Sequence, residues 1–493
     1  MESSSSRHCR RLILWTTVIA LLFCKARGID IFLEWNVSSD PNIRAYMDQP
    51  LILINGKITG PLINATTNDI VHVNIFNNLD EPLLMTWNGI QQRLNSWQDG
   101  VSGTNCPILP GQNWTYVFQT KDQIGSYFYF PSINFLKAAG GYGPIRVNNR
   151  NVILVPFAKP EAEYDLLIGD WSYGGNTKLM AENPLPDLIL MNGKAPFNPR
   201  GNVFQSFNVT KDYFMVATPT QIDTTAAPDL MGVGLIHYDS SNGLAAGSLP
   251  KGPDQLDRDF SINQARSIRW NMSTGAARPN PQGTFNVSNI TLSQTFILHA
   301  STAEIDGILH YTVNNVSYLT PDTPLKLADH FVNGSGVYQL DSFPTNSINL
   351  VASYGTSVVT GNHKGWLEIV FKNDLDVMDA WHLDGFGFYV VGFGDGDWNS
   401  ALRSTYNLVD PVVRSTVQVY PGGWTAVYAF LDNPGMWSLR SQRLENWYGG
   451  QELYIRVFDA DPNPAKERPP PSNLLLCGIF KSQAPAPSPQ VAW

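Results

Sequence analysis

Short runs in which apolar and polar residues alternate recur along this chain, and each stops at a turn residue. LILING (51–56), IVHVNIFNNL (70–79), WTYVFQT (114–120) and SYFYF (126–130) lie in the first part. WLEIVFKN (366–373), FGFYVVGFG (386–394), TAVYAFL (425–431) and ELYIRVF (452–458) lie in the last. A period of two belongs to a strand with one face buried, and no long segment has the 3.6-residue period of a helix. Aromatic residues at 12%, with 40 Gly and 34 Pro, favour strands and tight turns further. A length of 493 residues fits about three domains. The expected fold class is all-β, a series of β-sandwiches.

Arg7, Arg10 and Arg11 precede the apolar run LILWTTVIALLFC (12–24), and the small residues Ala26 and Gly28 follow. This is the pattern of a secretory signal peptide, assigned to residues 1–28 with cleavage near 26–28. The run falls short of the ~20 apolar residues that span a bilayer, so no transmembrane segment is expected. Loss of residues 1–26 moves the formal charge from −9 to −12. Such a chain has no basic footprint for nucleic acid and little attraction to anionic membranes. Nine N-x-[ST] sequons, at Asn36, Asn64, Asn113, Asn208, Asn271, Asn286, Asn289, Asn315 and Asn333, agree with a secreted glycoprotein. Cys9 and Cys24 leave with the signal peptide. Cys106 and Cys477 remain, and in an oxidising compartment they are expected to pair.

Linkers are read near Phe157–Glu163 and at the polar stretch Gly247–Asp259. The expected units are 29–150, a shortened 151–245, 246–481 with its linker, and a Pro/Ala/Ser-rich tail, 482–493. The tail SQAPAPSPQVAW has no hydrophobic terminus, so no GPI anchor is expected. Its Ala-Pro and Ser-Pro pairs are either a plain flexible tail or a site of hydroxylation and arabinogalactan attachment.

Several motifs occur in order: LINGKITGPLINA (53–65), TWNGIQQ (86–92), WQDG (97–100), CPILPGQNWTYVF (106–118), DQIGSYFYFPS (122–132), AAGGYGPIRV (138–147), NQARSIRWN (263–271) and YNLVDPVVRSTVQVYPGGWTAVYAFLDNPGMW (406–437). Together they resemble the plant multicopper oxidase-like proteins allied to ascorbate oxidase. Within that group they resemble the SKU5-similar, monocopper oxidase-like branch, which includes pollen-expressed ascorbate oxidase homologues. The resemblance covers nearly the whole chain after residue 28 and implies three cupredoxin-like domains. After MNGKAPFNPRGN (191–202) the family runs through several strands before a segment like YFMVATP (213–219); here the join is almost immediate. The second unit is therefore short, through a real deletion, a variant transcript or an imperfect gene model.

An active multicopper oxidase takes electrons at a copper held by two His and a Cys thiolate and reduces dioxygen at a cluster held by eight more His. Aligned on the family's motifs, this chain has Thr86 and Asn88 in place of the first pair of ligands, and Phe130 and Ser132 in place of the second. Asp379, His382 and Asp384 stand at the next three positions. Arg440, Ser441 and Gln442 replace His-Cys-His, Asn446 replaces the following blue-copper His, and the axial position falls at Gln451. Only His382 stays. The full set takes ten histidines, whereas the chain beyond Gly28 has seven: His72, His237, His299, His310, His330, His363 and His382. His382 is read either as a residual copper ligand or as a buried, hydrogen-bonded histidine. No copper is expected, or a single one at His382. Arg440 is expected to pair with Asp379 or Asp384.

No G-x-S-x-G or H-E-x-x-H occurs, and Glu34, Asp99 and Glu304 are too scattered for spacing to pair them. GFGDGDW (392–398) follows a β-run with no helix behind it, so it reads as a turn rather than a phosphate cradle. Trp87, Trp97, Trp114, Trp366, Trp424, Trp437 and Trp447 are core residues or, on the surface, sugar-stacking ones. The expected function is that of a secreted cell-wall glycoprotein, non-catalytic or single-copper, with cell-wall components as partners and oligomeric state open. By resemblance it acts in directional cell expansion or pollen-tube growth. The alternatives are a copper-dependent ascorbate or phenol oxidase and a wall-polysaccharide binding protein.

Overall fold

A computed structural model describes residues 28–40, 51–150, 162–172, 186–194, 205–208, 213–219, 231–237, 252, 254–267, 286–459 and 466–483. The signal peptide through residue 27, the Phe157–Glu161 part of the first linker, Asn271 and the tail from residue 484 lie outside these. So do the side chains of Asn208 and His237.

The first sandwich contains β1 (Asp30–Asp40), β2 (Leu51–Ile54), β3 (Ile63–Thr66), β4 (Ile70–Asn78), β5 (Met85–Asn88), β6 (Asn113–Gln119), β7 (Gly125–Pro131) and β8 (Gly143–Asn148). Its sheets run β2-β1-β4-β6 and β3-β8-β7-β5. The alternation in IVHVNIFNN sets the faces: Val71, Val73 and Ile75 are buried while His72, Asn74 and Phe76 point away, as a two-residue period requires. Trp35, Trp87, Tyr116, Phe118 and Tyr129 fill the space between the sheets.

In the middle, β9 (Ile168–Trp171) pairs with β10 (Leu188–Met191). β11 (Gln205–Asn208), β12 (Tyr213–Ala217) and β13 (Gly232–His237) form a sheet in the order β11-β13-β12. The helix α1 (Arg258–Ser267) then begins inside the stretch read as a linker to Asp259. The Asp257 carboxylate starts it by accepting the Phe260 amide at 2.8 Å, a side-chain cap on an otherwise unpaired helical N–H.

The third sandwich is larger. Its eight-stranded sheet holds β14 (Leu292–Ile305), β15 (Ile308–Val313), β16 (Val316–Tyr318), β17 (Ser353–Gly355), β19 (Trp366–Asn373), β21 (Phe388–Asp395), β22 (Val412–Arg414) and β24 (Gly423–Phe430). The five-stranded sheet runs β18 (Val358–Gly361), β26 (Glu452–Val457), β25 (Gly435–Ser441), β20 (Asp379–Leu383), β23 (Thr416–Val419). Phe296, Ile369, Phe371, Trp381, Phe388 and Trp437 pack between them. Two short helices, α2 (Leu325–Val332) and α3 (Leu444–Tyr448), interrupt the strands. Gly392–Asp395 ends β21, and the turn of GFGDGDW begins at Gly396, whose φ is +65°.

The first and third sandwiches are joined directly. Arg93 forks onto Asp432 at 2.7 and 2.9 Å, and Asn433 bridges Leu94 N, Gln91 O and Gly385 O. The segment 466–483 returns across the first sandwich. Trp97 and Trp114 donate their indole N–H to Arg468 O and Asn473 O, and the expected disulfide links Cys106 to Cys477. A 3-10 turn, Gly478–Gln483, carries order past Ser482, where the tail was expected to start, and Phe480 is buried. Trp87, Trp97, Trp114, Trp424, Trp437 and Trp447 are buried and Trp366 is half-buried, so these are core residues rather than a sugar platform.

Candidate functional site

β20 and β25 lie side by side and antiparallel, with Trp381 opposite Ser441 and His382 opposite Arg440. Because successive side chains take opposite faces, this pair of strands divides the candidate positions into two groups.

On one face His382 and Arg440 meet Asp384, just beyond the end of β20. His382 is fully buried; Nδ1 lies 2.7 Å from Thr416 Oγ1 and Nε2 lies 2.8 Å from Asp384 Oδ1. Arg440, also fully buried, ion-pairs with Asp384 through Nη1 and places its guanidinium 4.6 Å above the Trp447 ring. Of the two pairings open to Arg440, the structure selects Asp384. Trp447 Nε1 donates to Glu452 Oε2 at 3.0 Å, and Ser438 Oγ donates to Glu452 Oε1 at 2.9 Å. Phe130 packs edge-on against Trp447, and Lys137 Nζ lies 4.1 Å from the Phe130 centroid. The first sandwich adds Asp99, buried just after a 3-10 turn (Ser96–Gln98).

Burial alone would raise the Asp384 carboxyl, but the Arg440 guanidinium and then His382 overcome it and hold Asp384 at about 2. Asp99 behaves oppositely: burial first, and the Asp384 carboxylate second, push it well above the usual carboxylate range. Its Oδ2 finds no hydrogen-bond donor among the described residues. A proton retained on Asp99 and directed at Asp384 removes that deficit. Burial lowers His382, against the pull of Asp384, and it lowers Lys137 to about 8.

On the other face Asp379 Oδ1 accepts from Ala380 N at 2.7 Å and from Ser441 Oγ at 2.6 Å, and Oδ2 accepts from Asn446 Nδ2 at 3.3 Å. Burial raises Asp379 to about 6, against the pull of Ser441 and Arg443. Gln451 closes this group through the backbone: its amide donates to Asn446 O, and its carbonyl accepts from Ser441 N. Its side-chain Nε2 donates to Ser301 O at 3.3 Å.

The remaining positions join less tightly. Thr86 on β5 lies opposite Phe130 on β7. Ser132 Oγ donates to Gly100 O at 2.5 Å. Thr86 Oγ1, Asn88 Oδ1 and Gln442 Nε2 are buried without a partner among the described residues. Among the described residues, no three His, Cys, Asp or Glu side chains are placed so as to hold a metal ion. Sequence reading missed Lys137, Glu452 and Trp447 as members of this cluster and left Asp99 unpaired. The only signal for Asp99 was its place in WQDG beside the first substituted motif.

Of the asparagines read as glycosylation sites, Asn36, Asn64, Asn113, Asn286, Asn289 and Asn333 are exposed and Asn315 is half-buried. No helix among the described residues is long and apolar enough to cross a membrane.

Profiles of the multicopper oxidase family match residues 37–152 and 322–463. The chain is 39% identical to the monocopper oxidase-like protein SKU5 of Arabidopsis thaliana over 96% of this chain and 94% of that one. It is 38% identical to an L-ascorbate oxidase homolog of Brassica napus over 91% and 92%. The SKU5 alignment spans 554 positions, more than the whole length of this chain, so the relative carries dozens of residues with no counterpart here. Among solved structures, the multicopper oxidase Fet3p superposes with a TM-score of 0.67 at 15% identity, over 87% of this chain and 90% of that one. The laccase from Botrytis aclada gives 0.62 at 20% identity, over 87% and 88%. Two such sandwiches, their order and these relatives place the chain in the multicopper oxidase family, among the SKU5-type monocopper oxidase-like proteins.

Proposed function

We propose that this chain is a secreted glycoprotein of the plant cell wall that keeps the multicopper oxidase scaffold without its copper chemistry. By resemblance it acts in directional cell expansion or pollen-tube growth. One observation carries the reading: a buried guanidinium, that of Arg440, ion-pairs with Asp384 beside the one retained histidine. A fixed cation at that point repels a metal ion, and both ring nitrogens of His382 already have hydrogen-bonding partners. The donor set therefore does not fit a copper cluster, because copper(II) prefers several N or O ligands that are free to bind. On the opposite face the hydroxyl of Ser441 and the amide of Asn446 bond to Asp379, where a blue copper site would need a thiolate and imidazoles. A single copper at His382 would have to displace the Asp384 or Thr416 contact. The polysaccharide-binding alternative loses the tryptophans first considered for it, since these pack in the cores.

The test is metal content, absorption spectrum and oxygen uptake of protein secreted from a plant host in copper-replete medium. The expected result is no stoichiometric copper and no oxygen consumption. Stoichiometric copper that disappears in His382→Ala would establish a single-copper protein instead. Several coppers with turnover would refute the proposal.

A further inference from the structure

The outer face of β1, β4 and β6 exposes aromatic surface in a particular setting. Phe76 on β4 is 40% exposed, and its register partners are Asn36 on β1 and Asn113 on β6. Both are sequon asparagines, in Asn36-Val37-Ser38 and Asn113-Trp114-Thr115. All three side chains share the outward face, because Trp35, Val37, Ile75 and Trp114 alternate into the core. The β1–β4 pair is parallel and the β4–β6 pair antiparallel, and in both the neighbouring strands lie about 4.7–4.9 Å apart, so a sugar on either amide starts within reach of the ring. Both amides are oriented by neighbours on the same face. Asn36 Oδ1 accepts from Asn78 Nδ2 at 2.7 Å, and Asn113 Nδ2 donates to Asn74 Oδ1 at 3.0 Å. A glycosylated amide keeps one N–H, which leaves the second bond possible. Further along the face, beyond the polar pair Glu34 and Asn74, Phe32 stacks on His72 at 4.4 Å and is 74% exposed.

We propose that Phe76 is a platform for the chain's own N-glycans, the first N-acetylglucosamine on Asn36 or Asn113 packing its C–H face on the ring. The positive C–H edge of a sugar suits the negative face of an aromatic quadrupole. The proposal rests on the secretory reading, since the linkage forms only on chains entering that pathway. In the linkage step Nδ2 attacks the anomeric carbon of a lipid-pyrophosphate oligosaccharide. The C–N bond forms, the C–O bond to pyrophosphate breaks, and one amide proton is lost as the lipid pyrophosphate departs.

The full chain is expressed in plant cells, and its arrival in the medium tests the secretory reading separately from the platform. Glycopeptide mass spectrometry should find Asn36, Asn113 or both occupied. Removing the sites by Asn36→Gln with Asn113→Gln should lower the apparent Tm by about 2–4 °C in the parent and leave it unchanged in a Phe76→Leu background. An amidase that releases N-glycans should act on these sites in the native protein more slowly than on Asn286 and Asn289, and Phe76→Leu should abolish the difference. If the leucine variant is not secreted, the release rates on the parent decide, and equal rates at all sites overturn the proposal. So do a secreted chain with both asparagines bare, a Tm loss independent of Phe76, or capture of soluble β-glucan fragments that depends on Phe76.

Discussion

Replacing Asp384 with asparagine removes the counter-charge of Arg440 without changing the shape of the site. Arg440 cannot lose its proton and has no exposed surface, so its charge stays in the interior. Breaking a buried pair from one side costs about 3–5 kcal/mol, because the surviving charge is left uncompensated. At about 2–4 °C per kcal/mol for a domain of this size, the apparent Tm should fall by about 6–20 °C. Joint replacement, Asp384→Asn with Arg440→Met, should recover most of that loss, since a buried pair exchanged for neutral groups is close to neutral in free energy. Asp99→Asn is the control: Asp99 already keeps its proton, so an amide in its place should melt close to the parent. The assay is calorimetric or circular-dichroism melting at neutral pH on the secreted protein. A single Asp384→Asn change that moves Tm by less than about 2 °C, or losses that simply add in the double variant, would refute the reasoning.

Asp379 keeps its proton to about 6 when folded, against an ordinary value of 3.8. The folded state thus binds more protons between those values, and stability should fall as pH rises through that window. Asp379→Asn should flatten that slope in melts from pH 4 to 6; an unchanged slope would count against the protonated form. Asp384, held at about 2, has the opposite sign: its contribution is complete above 3.8 and fades as pH falls towards 2, which acid titration of the Asp384→Asn variant should show as a lost transition. Breaking the Cys106–Cys477 bridge, whose partners are 371 residues apart, should cost about 4 kcal/mol or more by chain entropy. Cys477→Ser should lower Tm and open the 466–483 segment to protease; an unaltered melt would show that the packing of Trp97 and Trp114 holds that segment alone.

The strand pattern was legible in the sequence because alternation in runs such as IVHVNIFNN directly encodes which side chains meet the core. The disulfide was legible because only two cysteines follow residue 28. The helix α1 was not, since its Asp257 cap and polar faces read equally well as a linker. The partner of Arg440 was left open for a clear reason. Asp379 and Asp384 sit five positions apart, so they fall on opposite faces, and the choice between them depends on the cross-strand register of His382 with Arg440. The partner of Asp99 was out of reach, because it meets Asp384 only when the first and third sandwiches dock. Family motifs point to the candidate positions one by one, whereas their division between the two faces of β20 and β25 is a property of the folded sheet.

The clasp between Cys106 and the segment 466–483 also has a consequence for synthesis. Cys106 emerges early, whereas its partner leaves the ribosome 371 residues later. Until that segment is made, the first sandwich therefore carries an unpartnered thiol, together with the indole N–H groups of Trp97 and Trp114 still waiting for the carbonyls of Arg468 and Asn473. A nascent chain cut short anywhere before Cys477 would keep that thiol. The bridge thus closes only after both sandwiches have been made, fastening the first to a segment that follows the third.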